Sequence, residues 1–465
     1  MSISKEKRFR NAKKSLADMD AEILEHYEYF NRFYIRISFY KLRELASLPW
    51  VMYIDTDNKP LTTENYQAGQ SHVSNVLRLE NSLGGRGLTG EGVKIGINDN
   101  GMIGEHIDFD NRVTQVYQGN YGEHATHCSG TIIGAGRLNI NSLGMAPKSH
   151  LYSRNNTSFT VQMLLEIQNY GIMITSNSYG YMTQSQCGQR GKYDGNSREI
   201  DKLTNDSIYF LHIFASGNDA LQCINGWNTV YDNPNSSKNI LTVGAIDKTD
   251  IITSFSSRGP LVDGRLKPEI TSVGKSVYST YPNNTYDFAQ GTSMATPGVV
   301  GMVALLYEKF IHLNNGDKPD AALIKGIVCN TAQDLGNIGP DYIYGYGKIN
   351  GLRAARLIEQ GSYFSGNITQ SNTHTHSITV PANVGQLGIT LCWTDKEALA
   401  NANPALVNSH HPQWSKCYER ARSDNALIHC KIEILKAPEQ CKPRAFVFTR
   451  ATKEERIRHF LICLL

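Results

Sequence analysis

The feature that most constrains this chain of 465 residues is a glycine turn that leads into a long apolar segment. Residues 291–297 read Gly-Thr-Ser-Met-Ala-Thr-Pro, and apolar side chains then recur at near-helical spacing up to Phe310. This spacing predicts a helix whose broad apolar face must be covered by a core. Pro297 is expected in the first turn, where a missing N–H is tolerated. Ser293 would then lie beside unpaired N–H groups at the positive end of the helix dipole, which suits a nucleophile and an oxyanion.

A serine nucleophile requires a base and an orienting carboxylate, and two upstream segments offer them. Residues 93–101 alternate apolar and other side chains before an Asp-Asn-Gly turn, which predicts a half-buried strand with Asp99 at its carboxyl end. Residues 124–134 are mostly small and indicate a helix that begins at His124. The order Asp99, His124, Ser293 is one of the chain orders known for a catalytic triad.

Each motif also has a simpler interpretation when it is taken alone. Gly-Thr-Ser can be an ordinary helix cap, Asp-Asn-Gly is a common hairpin turn, and Asn218 can be a turn residue. His124 and His127 could both bind zinc from one helix face, but neither the glutamate of a zincin motif nor a third ligand cluster accompanies them. His127 is therefore interpreted as a packed helix residue.

Together, the motifs resemble those of the subtilisin-like serine peptidases, the subtilases. The family pattern is an Asp-Ser/Thr-Gly strand end, a His-Gly-Thr-His helix start and Gly-Thr-Ser-Met-Ala-x-Pro. The third motif is intact here, whereas the first two carry Asn100 and Ala125 as substitutions. Residues 214–218, Phe-Ala-Ser-Gly-Asn, resemble the family's Ala-Ala-Gly-Asn segment. The resemblance covers residues 89–360, which are expected to form the catalytic domain.

This resemblance implies a serine endopeptidase that hydrolyses peptide bonds of proteins through an acyl-enzyme. Ser293 would attack the carbonyl carbon, His124 would transfer protons, and Asp99 would orient the imidazole. The side-chain amide of Asn218 and the backbone N–H of Ser293 would bind the oxyanion. The main alternative is an inactive relative that binds peptides, and a zinc-dependent hydrolase is the second.

Proteins and peptides are the substrates that the resemblance implies. Their backbone would pair as an added strand with residues 178–180 and with a second strand at 152–155. The residues expected to bind substrate are Ser178, Tyr179, Gly180, Ala215, Ser216 and Gly217. The chemistry requires no cofactor. The family implies structural calcium, but no loop shows a carboxylate-rich site, so its ligands stay unknown.

Composition favours a globular enzyme with more than one domain, expected to be a monomer. Apolar residues make up 40% of the chain, the formal net charge is only +3, and no basic stripe indicates nucleic-acid binding. No apolar run is expected to span a membrane. Between residues 88 and 357, short apolar strands alternate with helical stretches. This alternation predicts a doubly wound α/β fold with a mainly parallel sheet and helices on both faces.

Residues 1–88 form a different region, predicted to be a small α+β segment. A charged start without an apolar core shows no secretory signal peptide. A strand at 33–37, a short helix at 41–49 and another strand at 51–55 follow. Their order resembles the end of a subtilase prosegment whose opening is not visible. The resemblance thus implies a zymogen and an extracellular location.

The C-terminal region is predicted to start as a β-sandwich and then to change character. Residues 361–408 contain short strands with polar turns and resemble the sandwich that follows the catalytic domain in one branch of subtilases. Residues 409–465 contain no glycine, but four of the nine cysteines and eleven Lys or Arg residues. The hypothesis is a frameshifted or disordered tail, and the alternative is a divergent, partly helical one; either leaves sandwich strands unpaired. Resequencing that confirms the reading frame would contradict the frameshift.

Cysteine positions suggest one disulfide and two packed thiols. Cys187 and Cys223 flank the segment that ends at Asn218, and a disulfide between them near the substrate cleft is predicted. Cys128 lies one helical turn after His124 on the same face, where a bulky mercurial could displace the base. Cys329 is expected to lie in the core.

Overall fold

The computed structural model describes most of the chain in two compact units, residues 1–62 and 63–465. The described residues are 5–27, 32–48, 50–51, 65–155, 169–180, 190–223, 226–231, 234–366, 373–381, 384–407, 425–433 and 444–452.

The first unit is a small α+β segment, as its residue pattern predicts. Its elements are helix α1, Lys5–Asp18, the antiparallel strands β1, Glu22–Tyr27, and β2, Arg32–Arg36, and the short helix α2, Leu42–Ala46. Leu16, Met19 and Leu45 are buried at its centre. Of the strand predicted at 51–55, only Val51 lies within the described residues. The identification as a prosegment stays a prediction.

The second unit is built around a seven-stranded sheet. Across the sheet the strands are β11 (Ile270–Val273), β10 (Leu241–Ile246), β9 (Leu211–Ala215), β8 (Ile174–Asn177), β3 (Lys94–Asp99), β7 (His150–Asn155) and β5 (Val113–Gln115). Every neighbouring pair is parallel. Two shorter pairs are β4 (Met102–Ile103) with β6 (Tyr121–Gly122) and β12 (Val277–Tyr281) with β13 (Thr285–Ala289). The helices are α3 (Asn65–Ser71), α4 (Ser74–Arg78), α5 (Glu123–Ile133), α6 (Gly195–Asp206), α7 (Thr292–Leu313), α8 (Ala321–Thr331) and α9 (Gly351–Glu359).

Apolar side chains are buried on both faces of this sheet. Neighbouring residues of a strand point to opposite faces, and Ile213 and Phe214 of β9 belong to two separate apolar clusters. The cluster of Ile213 includes residues of α5, α7 and α8, whereas that of Phe214 includes Ile200 and Leu203 of α6. Each fully buried side chain of this kind stabilises the fold by about 1.5–3 kcal/mol. The predicted doubly wound α/β fold is therefore confirmed.

The central strands bring the predicted site residues to one edge of the sheet. Strands β9, β8 and β3 are adjacent and parallel, so their carboxyl ends lie side by side. Asp99 ends β3, Ser178 follows β8, and Asn218 lies three residues after β9. In open α/β sheets this edge is the usual place for a ligand site.

Helix α7 is apolar all round because it is the central helix of the core. By length and composition it could cross a membrane, which corrects the expectation that no apolar run reaches that length. However, 89% of its apolar window is buried inside the protein. A helix covered on every side needs apolar residues on every side, so the same composition serves a core helix.

Pro297 lies in the second turn of α7, not in the first as predicted, because the helix begins directly after Gly291. Gly291 has a φ of +149°, which suits glycine. Proline has no N–H, so the carbonyl of Ser293, four residues earlier, loses its helical partner. The hydroxyl of Ser178 donates to that carbonyl at 2.9 Å and the thiol of Cys128 at 3.4 Å. The carbonyl that the proline leaves free thus connects the start of α7 to the residue after β8 and to helix α5.

Strands after residue 408 pair with strands before it, which corrects the prediction of an unpaired half-sandwich. The C-terminal strands are β14 (Tyr363–Gly366), β15 (Thr373–Pro381), β16 (Val384–Trp393), β17 (Asn425–Glu433) and β18 (Arg444–Thr452). Strand β18 is antiparallel to β14 and β16, and β17 is antiparallel to β15. Aromatic and β-branched residues such as those at 446–448 favour strands without any turn glycine. The sandwich and the shifted reading frame stay predictions.

Residues 394–407 are joined to the α/β core by a buried ion pair. The ammonium of Lys238 lies 2.7 Å from the carboxylate of Asp395, and both side chains are only 3% exposed. The side-chain amide of Asn239 donates to the Asp395 carbonyl and accepts its N–H, both at 2.8 Å. The Asp395 carboxylate also accepts the N–H of Val407 at 3.0 Å. These buried contacts therefore fix the segment to the α/β core.

Removing Asp395 should destabilise the protein strongly. In Asp395→Ala, Lys238 stays buried and the nearest carboxylate left is that of Asp201 at 3.9 Å, so we expect a loss of about 3–5 kcal/mol in the free energy of unfolding. Urea unfolding measures it. The control is Asp206→Ala, which breaks an exposed pair with Lys202 and should cost about 0.3–0.5 kcal/mol. Equal losses of unfolding free energy in both variants would contradict the role of Asp395 as the buried partner of Lys238.

Candidate active site

Asp99 and His124 meet where strand β3 approaches the start of helix α5. Asp99 is 4% exposed and His124 is 40% exposed, and Nδ1 of His124 lies 2.7 Å from Oδ1 of Asp99. The backbone N–H of Asn100 donates to the same oxygen at 2.6 Å. Because the backbone makes this contact, the Asn100 substitution leaves it in place. Oδ2 of Asp99 is buried and has no hydrogen-bond partner within the described parts of the chain.

Ser293 lies half-buried at the start of α7 and exchanges two hydrogen bonds with Ser178. The hydroxyl of Ser293 donates to the Ser178 carbonyl at 3.1 Å, and the hydroxyl of Ser178 donates back at 2.9 Å. In this rotamer, no hydrogen bond joins Ser293 to His124 within the described residues. One side chain bridges them, since Sγ of Cys128 lies 3.9 Å from Nδ1 of His124 and 3.4 Å from the Ser293 carbonyl. Rotation about the serine Cα–Cβ bond re-aims the hydroxyl within nanoseconds where the side chain is exposed.

The side chain of Asn218 is exposed and oriented by Thr292. The N–H of Thr292 donates to Oδ1 of Asn218 at 2.9 Å, and the Thr292 hydroxyl does so at 3.1 Å. Because both donors occupy Oδ1, the two N–H donors of the amide are left for a ligand. The backbone N–H of Asn218 donates to the hydroxyl of Tyr231 at 3.2 Å. No sequence motif pointed to Tyr231, whereas Thr292 belongs to the glycine-turn motif but carried no predicted role.

The six residues predicted to bind substrate flank the start of α7 from two sides. Residues 178–180 follow β8, and residues 215–217 end or follow β9. Ser178 contacts Ser293 as described, and the N–H of Gly217 donates to the Thr292 hydroxyl at 3.2 Å. The second predicted strand, 152–155, is the end of β7, which already pairs with β3 and, through Tyr152 and Ser153, with β5. An added strand cannot pair with Tyr152 and Ser153 because both of their edges are occupied, which corrects that prediction. Binding of substrate to the other segments stays a prediction.

His127 is a packed core residue, as predicted. Its side chain is fully buried, and Nε2 lies 3.0 Å from the carbonyl oxygen of Val277. Burial lowers the pKa of His127 to about 4, so the ring is neutral at physiological pH. Ala125, the other substituted motif position, is also fully buried in α5.

The pKa of His124 is raised above its ordinary value by neighbouring negative charge. The strongest influence on the pKa is the charge that Cys128 carries as a thiolate; burial, which lowers the pKa, comes second, and the charge and hydrogen bond of Asp99 raise it. Burial also raises the pKa of the Cys128 thiol, so this sulfur is uncharged at neutral pH. With a neutral thiol, the charge and the hydrogen bond of Asp99 remain the main influences that raise the pKa of His124, against burial. A raised pKa makes His124 a stronger base.

The described residues contain one group of three side chains that could bind a metal ion together: Asp99, His124 and Cys128. Their ligand atoms lie within 4.8 Å of one another. The 2.7 Å between Nδ1 and Oδ1 is a hydrogen-bond length, shorter than the roughly 3.3 Å between ligands of tetrahedral zinc. The mixed N, S and O donors do not suit calcium, which takes about six to eight oxygens. The calcium expectation therefore stays a prediction without ligands.

The disulfide prediction has one partner within the described residues. Cys223 is disulfide-bonded, but Cys187 lies outside the described residues, so the pairing between them stays a prediction. Cys329 is buried in α8 at 6% exposure, in the core position predicted for it.

Comparison with known proteins decides the family. Residues 90–347, more than half of the chain, match a family model described as the Subtilase family. The chain belongs to the subtilase family. Its resemblance to that family in sequence motifs is thereby confirmed.

Individual relatives of this subtilase are named proteases. M-protease of Shouchella clausii (strain KSM-K16) is 29% identical over 356 residues, which cover 73% of this chain and 83% of that protein. Subtilisin BL of Lederbergia lenta is 32% identical over 287 residues, which cover 58% and 93%. Subtilisin E of Bacillus subtilis (strain 168) is 28% identical over 350 residues, which cover 73% and 85%. The protein is a serine-type endopeptidase that acts on proteins or peptides, and the zinc-hydrolase alternative is wrong.

A mercurial should inhibit this subtilase slowly through Cys128. The thiol is fully buried and its pKa is raised, so reaction is slow, but a mercury adduct beside His124 would displace the imidazole. We expect p-chloromercuribenzoate to remove part of the peptidase activity. In Cys128→Ser, the treated and untreated rates should agree, because the thiol beside His124 is gone; the other eight cysteines remain and control for reaction elsewhere. Equal inhibition of both enzymes, or of neither, would contradict this prediction.

Proposed function

We propose that this subtilase hydrolyses peptide bonds through an acyl-enzyme, with Asp99, His124 and Ser293 as its catalytic triad. The observation that carries the proposal is the 2.7 Å hydrogen bond from Nδ1 of His124 to the carboxylate of Asp99, on the helical turn that contacts Ser293 through Cys128. The Asp-His contact fixes which imidazole nitrogen can accept a proton.

In the first half of the reaction, the Ser293 hydroxyl turns from the Ser178 carbonyl toward His124. Its oxygen attacks the carbonyl carbon of the substrate while Nε2 of His124 takes the proton. Asp99 keeps the proton of the neutral ring on Nδ1 and stabilises the imidazolium that forms. Proton transfer from Nε2 to the amine then releases the first product and leaves an ester on Ser293.

In the second half, the same groups hydrolyse the ester. Nε2 of His124 takes a proton from water, the water oxygen attacks the acyl carbon, and the proton returns to Ser293 as the acid product leaves. In both halves, the side-chain amide of Asn218 and the N–H of Ser293 bind the oxyanion. The Thr292 bonds that orient Asn218 support this role, and such a donor lowers the barrier by about 3 kcal/mol.

Substrate backbone is proposed to pair with residues 178–180 as an added strand. This segment follows β8 at the carboxyl edge of the sheet, next to the end of β3, which supports a binding cleft there. Secretion and activation from a zymogen are further proposals, supported by the resemblance of residues 1–88 to a prosegment. The protein is further proposed to be a monomer that binds neither nucleic acid nor a membrane.

A fluorophosphonate probe should label the wild-type protein on Ser293 in a one-to-one ratio, because the reagent traps an activated serine. Ser293→Ala should not be labelled. Ser178→Ala, which removes the neighbouring hydroxyl, should keep the label. Mass spectrometry of the labelled peptide identifies the site. A wild-type protein that takes no label would support the inactive, peptide-binding relative instead, and a labelled Ser293→Ala would refute the nucleophile.

Asp99→Asn should lower kcat by about 10⁴-fold and change the pH profile. The value of kcat/KM rises with pH as His124 loses its proton, because only the neutral ring accepts one. Asp99 raises the pKa of His124, so asparagine should move the midpoint of this rise to lower pH. Asn218→Ala is the matched control: kcat should fall by about 10²–10³-fold with an unchanged midpoint. A midpoint that Asp99→Asn leaves in place would contradict the role of Asp99.

A further inference from the structure

We propose that the ring of Tyr231 closes the pocket for the substrate side chain next to the scissile bond, so that this subtilase cleaves after small residues such as glycine and alanine. The inference rests on the proposed function, because it takes Ser293 as the nucleophile and residues 178–180 and 215–217 as the walls of the cleft.

The side chain in question belongs to the residue whose carbonyl carbon is attacked. Its Cα is bonded to that carbon, so the side chain must leave the backbone within a few ångströms of Ser293. The two walls border this position. Residue 178 accepts the Ser293 hydroxyl at 3.1 Å, and the N–H of Gly217 donates to Thr292, the residue before the nucleophile, at 3.2 Å. The space between the walls is therefore where this side chain would go.

The ring of Tyr231 spans that space. A Cβ added at Gly180 would lie 2.2 Å from Cδ2 of Tyr231, and a Cβ added at Gly217 would lie 2.6 Å from both Cδ1 and Cε1. Cδ2 and the Cδ1–Cε1 side are opposite edges of one ring, so each edge faces one wall. Both positions are glycine, and any larger residue there would collide with the ring. The fit leaves no room for a second large side chain beside the ring.

Hydrogen bonds hold the ring in this position. The hydroxyl of Tyr231 accepts the backbone N–H of Asn218 at 3.2 Å, and the backbone N–H of Tyr231 donates to the carbonyl of Ser216 at 3.1 Å. The hydroxyl and the backbone of Tyr231 are thus both fixed to the wall, through Asn218 and Ser216. Swinging the ring away would leave the Asn218 N–H without its acceptor, which costs free energy.

The distance between the walls is also fixed. Asn235 is fully buried, and its side-chain amide donates to the carbonyl oxygens of Tyr179, at 3.2 Å, and of Ala215. One amide therefore bonds to both walls from beneath. A larger substrate side chain cannot widen the cleft without breaking these buried bonds. Tyr231 determines the specificity, and Asn235 is a positioning residue.

The test compares peptide substrates that differ only in the residue before the scissile bond, alanine or phenylalanine. One methylene in such a pocket changes kcat/KM by about 10- to 200-fold, so the wild-type enzyme should favour alanine by at least about tenfold. Tyr231→Ala should raise the phenylalanine-to-alanine ratio of kcat/KM by about tenfold or more. Tyr231→Phe keeps the ring between Gly180 and Gly217 but loses its bond to Asn218, so its ratio should shift less than that of Tyr231→Ala, whatever its rate.

Three results would overturn the inference: a wild-type enzyme that favours phenylalanine, an unchanged ratio in Tyr231→Ala, or an equal shift in Tyr231→Phe. Fluorophosphonate labelling counts the folded active sites in each variant. If Tyr231→Ala does not fold, inactivation of the wild type by peptidyl phosphonates with an alanine or phenylalanine side chain gives the same comparison. A wild type that takes no label fails the proposed function, whereas full labelling with an unchanged ratio fails the Tyr231 inference alone.

Discussion

The first turn of α7 and its hydrogen bonds to the ends of strands β8 and β9 are the contacts on which the rest of the site depends. Ser293 exchanges two bonds with Ser178, and Thr292 holds the amide of Asn218. The missing N–H of Pro297 is part of this arrangement, because it releases the Ser293 carbonyl for the Ser178 hydroxyl. Buried side chains of this helix belong to the same apolar cluster as those of the sheet and α5, so a shift of the helix would disrupt that core.

Buried polar side chains beneath the site connect the three strands that carry it. Asn98 of β3 donates to Asn177 of β8, Asn177 donates to Thr175, and Thr175 lies against Nδ1 of His212 in β9, each at 2.8 Å. Asn98 precedes Asp99 in the chain and Asn177 precedes Ser178. Hydrogen bonds between buried polar side chains favour one arrangement of a core, because breaking them leaves buried groups unpaired. The strand ends are thus held at a constant spacing.

The residue pattern correctly predicted those strands and helices that depend on short stretches of sequence. The strand that ends at Asp99 and the helix at His124 are present as expected, since alternation and helical periodicity are properties of short segments. The same reasoning was wrong for residues 409–465, where the absence of glycine led to the prediction of unpaired sandwich strands. Strands there pair with distant partners, and strand formation depends on those partners as much as on local turns. The apolar length of α7 likewise fits a membrane or a core, and only its burial separates the two.

The sequence by itself determined the family of this chain and the candidates for its proposed chemistry: a serine, a histidine, a carboxylate and an amide, each in a motif short enough to recognise. Tertiary structure alone decided which other groups meet them. Tyr231 and Asn235 lie in a segment without a motif, and they reach the proposed cleft because the chain between β9 and β10 passes beside the residues that follow β8 and end or follow β9. Side-chain fit between two walls is a property of contacts between segments remote in sequence, so no local pattern encodes it.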